Sequence, residues 1–322
     1  MNKELKRSLE TAGLIPVVKI DEAGHAVDLT KALLQAGLDC IEITFRTEAA
    51  AEAIEAVRKS GLDVVILAGT VLDVEQAERA RIAGADVIVS PGYNASVVRW
   101  CLEQGMPVVP GIQSASELTA AVNAGLGFVK FFPAQAAGGI GMLKALSGPF
   151  PAMQFMPTGG ISEDNFQEYL KLPQVVCAGG SWMVPTVLIQ EGRFDEIQAI
   201  AHSAVTKMLD LKLAHIGINA ANEGEAHQIA QFFETVFSFE ARENPSSIFS
   251  DTYVETLKSP YLGKKGHIAI STPNVERAMA YLEKRGVAFN QDSIVRRPNG
   301  LIQAVYFQKE TGSFAIHLVR KD

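Results

Sequence analysis

Between Leu14 and about Pro185 the sequence repeats one phrase: a short apolar run, turn residues, an amphipathic Ala-rich stretch, a glycine, and then the next apolar run. The runs are Ile15–Ile20, Cys40–Phe45, Asp63–Ala68, Asp86–Ser90, Pro107–Pro110, Phe128–Phe132, Gln154–Pro157 and Val175–Ala178. Strand-length apolar runs alternating with helix-length amphipathic ones predict βα units and a parallel sheet. The intervening stretches Ala26–Ala36, Ala49–Lys59, Val74–Ile82, Ser96–Gln104, Ser116–Asn123 and Asn165–Lys171 read as helices. Asp or Ser caps open several of them, and Gly37, Gly61, Gly84, Gly105 and Gly125 punctuate their ends. No G-x-G-x-x-G follows the first run, so eight such units predict a (β/α)8 TIM barrel rather than an open doubly wound sheet. Its last helix is expected over Arg193–Leu209.

A different grammar follows a short linker at Asp210–Lys212. A strand over Leu213–Ala220, a helix over Glu225–Phe237 and short strands through Leu257 form one βαβββ phrase. The phrase restarts with a strand at Gly266–Ser271, a helix at Asn274–Arg285 and strands around Ile302–Phe307 and Phe314–Val319. The expected organisation is therefore a barrel over 1–209 and a smaller α+β domain of paired βαβββ modules over 213–322.

Charge and cysteine usage narrow the function classes. A formal net charge of -7 with dispersed Lys and Arg gives no basic field for a nucleic-acid backbone. Met1–Gly13 interleaves five charged residues with only Leu5 and Leu9, which is neither a signal peptide nor a membrane span and reads as a surface helix. Cys40, Cys101 and Cys177 are odd in number and far apart, which fits a reducing cytoplasm rather than a disulfide framework. His25, His202 and His227 fall on predicted helices and read as surface residues.

In Cys40–Arg46 the two-residue period of a strand places Glu42, Thr44 and Arg46 on one face and Ile41, Ile43 and Phe45 on the other. Helices cover the outside of a barrel strand, so the polar face is expected to look inward, where a charge is costly unless paired or used. Lys130, between large apolar residues in Phe128–Phe132, is likewise expected inside the sixth strand. Burial lowers the pKa of an amine and makes it a nucleophile toward carbonyls. The bland alternative is an ion pair that merely fills the barrel. Against it stands the assembly of polar groups on several strand ends, as barrel enzymes require. Gly159-Gly160 after the seventh strand and Gly179-Gly180-Ser181 after the eighth offer bare N–H groups where barrels hold phosphate. Each pair alone could be only a tight turn.

With these residues in place the chain from about 5 to 207 resembles the 2-keto-3-deoxy-6-phosphogluconate (KDPG) / 4-hydroxy-2-oxoglutarate (KHG) aldolase family. The resemblance rests on Ile41–Glu48 (IEITFRTE), Ala68–Leu72 (AGTVL), Ser90–Gly92 (SPG), Pro110–Ile112 (PGI), Val129–Ala134 (VKFFPA), Pro157–Ile161 (PTGGI) and Gly179–Trp182 (GGSW). It implies a homotrimeric class I aldolase, free of metal, that cleaves a 2-keto-4-hydroxy acid to pyruvate plus an aldehyde. The Schiff-base lysine then falls on Lys130 and the acid/base carboxylate on Glu42. The carboxylate-binding arginine falls on Arg46, substrate-contacting residues on Thr70, Pro91, Phe132 and Thr158, and the phosphate cradle on Gly159, Gly160, Gly179, Gly180 and Ser181. Gln135-Ala136-Ala137 departs from the acidic residue and asparagine that family members often carry there, which bears on the aldehyde accepted.

The second domain resembles the vicinal-oxygen-chelate (glyoxalase-like) superfamily through Leu213–Asn219 (LAHIGIN), Tyr253–Leu257 (YVETL), Gly266–Ser271 (GHIAIS) and Phe314–Leu318 (FAIHL). The resemblance puts the ligands of a divalent metal on His215, Glu255, His267 and His317, the last where a carboxylate is commoner. The competing reading is an empty cupped sheet lined by polar residues. For the whole chain, the alternative to an aldolase is a barrel that only holds phosphorylated ligands, joined to a small-molecule sensor.

Overall fold

The computed structural model describes residues 1–321, which divide into two compact units, Met1–Met208 and Leu209 onward. In the first, the strands are β1 (Leu14–Val18), β2 (Cys40–Thr44), β3 (Val65–Gly69), β4 (Val87–Val89), β5 (Val108–Val109), β6 (Gly111–Ile112), β7 (Phe128–Phe131), β8 (Gln154–Pro157) and β9 (Ala178–Gly180). All pair in parallel, in the orders β5-β4-β3-β2-β1-β9 and β6-β7-β8. β5 and β6 are one strand interrupted at Pro110, which has no N–H to donate. Isolated parallel bridges, Phe155 to Val175 and Thr158 to Gly179, join β8 to the last strand, so the hydrogen-bonded succession curls back toward its start. The last strand lies later than the apolar run suggests. Val175 makes only a bridge, and the ladder with β1 runs from Ala178 to Gly180.

The helices are α1 (Lys3–Ala12), α2 (Ala26–Ala36), α3 (Ala50–Lys59), α4 (Val74–Ala83), α5 (Ala95–Glu103), α6 (Ala115–Asn123), α7 (Gly139–Ser147), α8 (Phe166–Leu170), α9 (Thr186–Gln190) and α10 (Phe194–Leu209). Their starts follow the caps: Asp73 accepts from the Gln76 N–H, and Ser114 with Glu117 forms a complete capping box. α2 and α4 end on left-handed Gly37 and Gly84, each giving its N–H to carbonyls of the last turn.

α1 corrects the expectation of a mere surface helix. Leu5, Leu9 and Ala12 share one stripe at helical spacing, and Leu9 is wholly buried in a cluster with Ile15, Cys40, Leu67, Val87, Phe128 and Met156. Cys40 and Phe128 stand two residues before Glu42 and Lys130 on their strands. The apolar cluster therefore forms the floor beneath those two charged side chains.

The second unit is one eight-stranded mixed sheet. Its elements are β10 (Lys212–Asn219), α11 (Glu223–Phe237), β11 (Ala241–Glu243), β12 (Ser247–Ser250), β13 (Val254–Leu257), β14 (His267–Thr272), α12 (Val275–Glu283), β15 (Val295–Arg296), β16 (Ile302–Tyr306) and β17 (Ala315–Arg320). β10 pairs parallel with β13, β14 parallel with β17, and β10 antiparallel with β14, so two like modules meet back to back at the sheet centre. The register makes the likeness specific. Gly217 pairs with Glu255 and Glu255 with Phe249; in the other module Ala269 pairs with His317 and His317 with Tyr306. His215 and His267 stand two residues before the matching Gly217 and Ala269. Among the described residues no helix is long and apolar enough to cross a membrane.

Candidate active site and candidate metal centre

Two strands on opposite arcs of the curled sheet deliver the first pair of groups. Lys130 Nζ lies 2.9 Å from Glu42 Oε1, with side-chain exposures of 5% and 0%. The second carboxylate oxygen, Oε2, is buried with no hydrogen-bond partner. A buried carboxylate oxygen without a donor is a costly vacancy in a folded core, of the kind kept where chemistry uses it. The Lys130 ammonium sits 5.4 Å from the centre of the Phe132 ring. Its strand partner Gly111 lies against the Pro91 carbonyl, so close that a Cβ there would come within 2.1 Å of the oxygen. Gly69 faces Glu42 in the same way: a Cβ would fall 2.2 Å from Oε1. Sequence alone assigns neither glycine a role, although both lie in the segments Ala68–Leu72 and Pro110–Ile112. The signal was a glycine at a strand end with no turn to explain it.

The remaining candidates spread around this pair. Thr70, directly after Gly69, is a β-branched residue at φ 58°, a conformation rarely held without cause. Thr158 is buried, its Oγ1 has no hydrogen-bond partner, and that oxygen lies 2.5 Å from where a Cβ on Gly179 would stand. Gly159 and Gly160 both take positive φ, 92° and 75°, which favours glycine there. Gly159 rests against Phe132 and Pro133, Gly160 against the Gln135 side chain, and Gly180 under the Trp182 ring. Ser181 is exposed just beyond β9. Arg46 corrects the strand extrapolation. β2 ends at Thr44, the chain turns at Phe45 and Arg46, and Arg46 is exposed. Thr44 instead gives its hydroxyl to the Val18 carbonyl at 2.8 Å.

In the second unit the structure gathers all four expected metal ligands. His215 Nε2, His267 Nε2 and Glu255 Oε2 stand 3.2 Å from one another. The centre of a triangle with that edge is about 1.8 Å from each corner (the edge divided by √3), close to the ~2.0–2.2 Å of zinc–nitrogen and zinc–oxygen bonds, so these three residues could hold a divalent ion. The nearest ring nitrogens of His215, His267 and His317 all lie within 4.8 Å of one another. Both ring nitrogens of His317, and Nδ1 of His267, are buried without a hydrogen-bond partner. Burial and the neighbouring His267 and His215 push His317 down to about 3, which leaves it neutral with a free lone pair near pH 7. Burial pushes the Glu255 carboxyl up, but hydrogen bonds with His215, His267 and Ser247 outweigh this and hold it below the ordinary carboxylate range. Neutral imidazoles and an ionised carboxylate are the forms that ligate metal. Tyr306 stacks on His317 with ring centres 4.6 Å apart, and Phe249 meets His215 edge-on at 5.3 Å.

Comparison with known proteins bears on the first unit. A family model described as KDPG and KHG aldolase matches residues 5–200. A 2-dehydro-3-deoxy-phosphogluconate aldolase of Treponema pallidum is 48% identical over 198 residues, which is 62% of this chain and 94% of that protein. The KHG/KDPG aldolase of Escherichia coli K12 is 41% identical over 197 residues, 61% of this chain and 92% of its own length. Among solved structures, the KDPG aldolase of Legionella pneumophila holds pyruvate captured at low pH as a covalent carbinolamine intermediate. It superimposes with a TM-score of 0.60 at 39% identity, covering 62% of this chain and 97% of that one. The Zymomonas mobilis enzyme with 3-phosphoglycerate gives 0.59 at 34% identity over 63% of this chain and 95% of that one.

The Gly69 contact yields a direct test. A methyl group in Gly69→Ala must displace the Glu42 carboxylate, so the variant should be less stable by about 1–3 kcal/mol in urea melts. An unchanged midpoint would contradict the close approach.

Proposed function

The chain belongs to the KDPG and KHG aldolase family, a family of aldehyde-lyases, through residues 5–200, and from that premise we propose that its first unit is a (β/α)8 barrel that uses Lys130 as a Schiff-base nucleophile. The substrates are 2-keto-3-deoxy-6-phosphogluconate, cleaved to pyruvate and glyceraldehyde 3-phosphate, and 4-hydroxy-2-oxoglutarate, cleaved to pyruvate and glyoxylate. One observation carries the reading: an amine and a carboxylate from different strands held 2.9 Å apart and shielded from solvent.

The steps follow from what each group can do. The Lys130 amine, having passed a proton to Glu42, adds to the C2 ketone to give a carbinolamine, the kind of adduct captured in the Legionella protein. Glu42 then gives that proton to the carbinolamine hydroxyl, which leaves as water, so a protonated imine forms and Glu42 is ionised again. Glu42 takes the C4 hydroxyl proton, the C3–C4 bond breaks, the aldehyde leaves, and the bonding electrons move into the iminium to form an enamine. Returning the proton to C3 and adding water frees pyruvate and restores the amine. Arg46, exposed at the strand end, is suited to hold the substrate carboxylate, since its fork can take both oxygens at once. Thr70, Pro91, Phe132 and Thr158 enclose the pyruvyl end, and the bare N–H groups of Gly159, Gly160, Gly179, Gly180 and Ser181 suit the distal phosphate. The aldol step uses no metal, and the working assembly is a homotrimer.

For the second unit we propose a vicinal-oxygen-chelate fold that holds a divalent metal on His215, Glu255, His267 and His317. The support is the convergence of donor atoms and the unpartnered buried nitrogens. When bound, the ion would act as a Lewis acid toward an oxygen of a small ligand.

Glu42→Gln should lower kcat for KDPG cleavage by about 10²–10⁴-fold, and Lys130→Ala should abolish turnover; a Lys130→Ala enzyme with parental rates would remove the mechanism. Dialysis against Co2+ or Zn2+ should load one ion per chain by elemental analysis, and His267→Ala should lose it, while stripping the ion leaves cleavage rates unchanged. Light scattering should return three chain masses, and a monomer would refute the assembly.

A further inference from the structure

The four candidate metal donors of the second unit are not equally held. Glu255 is fixed from behind by a chain of hydrogen bonds whose direction is determined. The N–H groups of Ser246 and Ser247 donate to Asn244 Oδ1 at 2.9 and 2.8 Å, and the Ser246 hydroxyl approaches the same oxygen. With that oxygen committed as an acceptor, the amide nitrogen of Asn244 faces Ser247 and donates to its Oγ at 2.8 Å. Ser247, fully buried, can then only point its own hydrogen onward, and it donates to Glu255 Oε1 at 2.7 Å. One carboxylate oxygen is thus occupied, and the other, Oε2, is left turned toward His215 and His267.

His317, the register counterpart of Glu255 in the second module, has no such backing. Neither of its ring nitrogens makes a hydrogen bond, and it is held by stacking on Tyr306 and by the rings of His215 and His267. Its neighbour on β16, Tyr306, replaces Phe249 of the first module, so the two halves of the site differ both in the donor and in what supports it.

Resting on the metal reading above, we propose that Ser247, locked by Asn244, is a positioning residue that aims Glu255 as a ligand. It makes His215, His267 and Glu255 a pre-set three-donor face, with His317 an auxiliary fourth donor. An outer hydrogen bond of this kind typically contributes 10–100-fold to metal affinity, because it removes the rotational freedom the ligand would lose on binding. The same reasoning makes an unsupported donor worth less. It also gives a role to the buried Ser247 that opens β12 and to the half-buried Asn244 in the turn before it.

The test is Co2+ titration of the full chain, followed by calorimetry and by the visible spectrum of the bound ion, with the melting point of the metal-free protein as a control. Ser247→Ala should weaken Co2+ binding about 10–100-fold, with little change in the metal-free melting point. Glu255→Ala should weaken it further, and Ser247→Ala should add nothing in the Glu255→Ala background, because its effect passes through that carboxylate. His317→Ala should cost less than Ser247→Ala while altering the spectrum. Equal Co2+ affinity in the parent and Ser247→Ala, or additive losses in the double variant, would overturn the inference while leaving the metal site standing. Failure of the parent chain itself to bind Co2+ would remove the metal reading and the inference with it.

Discussion

A single ion pair organises the first unit. Lys130 and Glu42 meet across the interior with almost no access to water, and a pair in such a place must offset the large cost of desolvating both charges. Removing either partner of a buried pair typically costs about 3–5 kcal/mol because the other is left stranded. The surrounding residues are shaped around this constraint. An apolar floor of Leu9, Cys40, Phe128 and Met156 keeps water from below, and Gly69 and Gly111 leave room where any side chain would collide with Glu42 or with the Pro91 carbonyl. The pair is incompletely satisfied, since Glu42 Oε2 has no donor. A group that only stabilised the fold would be expected to have found one.

The second unit applies the same physics with a different result. Its sheet brings two similar modules together so that four side chains of metal-ligating types converge, and several of their nitrogens are buried without partners. Burying polar atoms without hydrogen bonds is unfavourable, and an ion that accepts their lone pairs resolves it. The unpartnered oxygen of the first unit fits the proposed proton transfer, and the unpartnered nitrogens of the second fit the proposed cation.

Much of this was legible in the sequence because it depends on local periodicity. The βα alternation, the caps at Asp73 and Ser114, and the inward direction of Glu42 and Lys130 follow from spacing along one strand or helix. What was illegible depends on how separate strands line up. Gly69 matters because it stands opposite Thr44 in the β2–β3 register, next to Glu42, and Gly111 because it pairs with Lys130; neither pairing can be counted along the chain. The two-residue period does not carry as far as Arg46, because β2 ends at Thr44 and the chain turns there. In the second unit the four candidate donors that the sheet brings together could be named from short segments. The Asn244–Ser247–Glu255 relay could not, because it arises from a turn folding back on the strand it precedes.

The central claim is that the amine of Lys130 forms a covalent bond with a 2-keto acid, and chemical trapping tests it most directly. Incubating the protein with pyruvate and borohydride, then digesting it and mapping the peptides by mass, should place a reduced pyruvyl adduct on the peptide that carries Lys130. An adduct on a different lysine, or an unmodified Lys130 peptide under conditions where the protein turns over its substrate, would contradict the account.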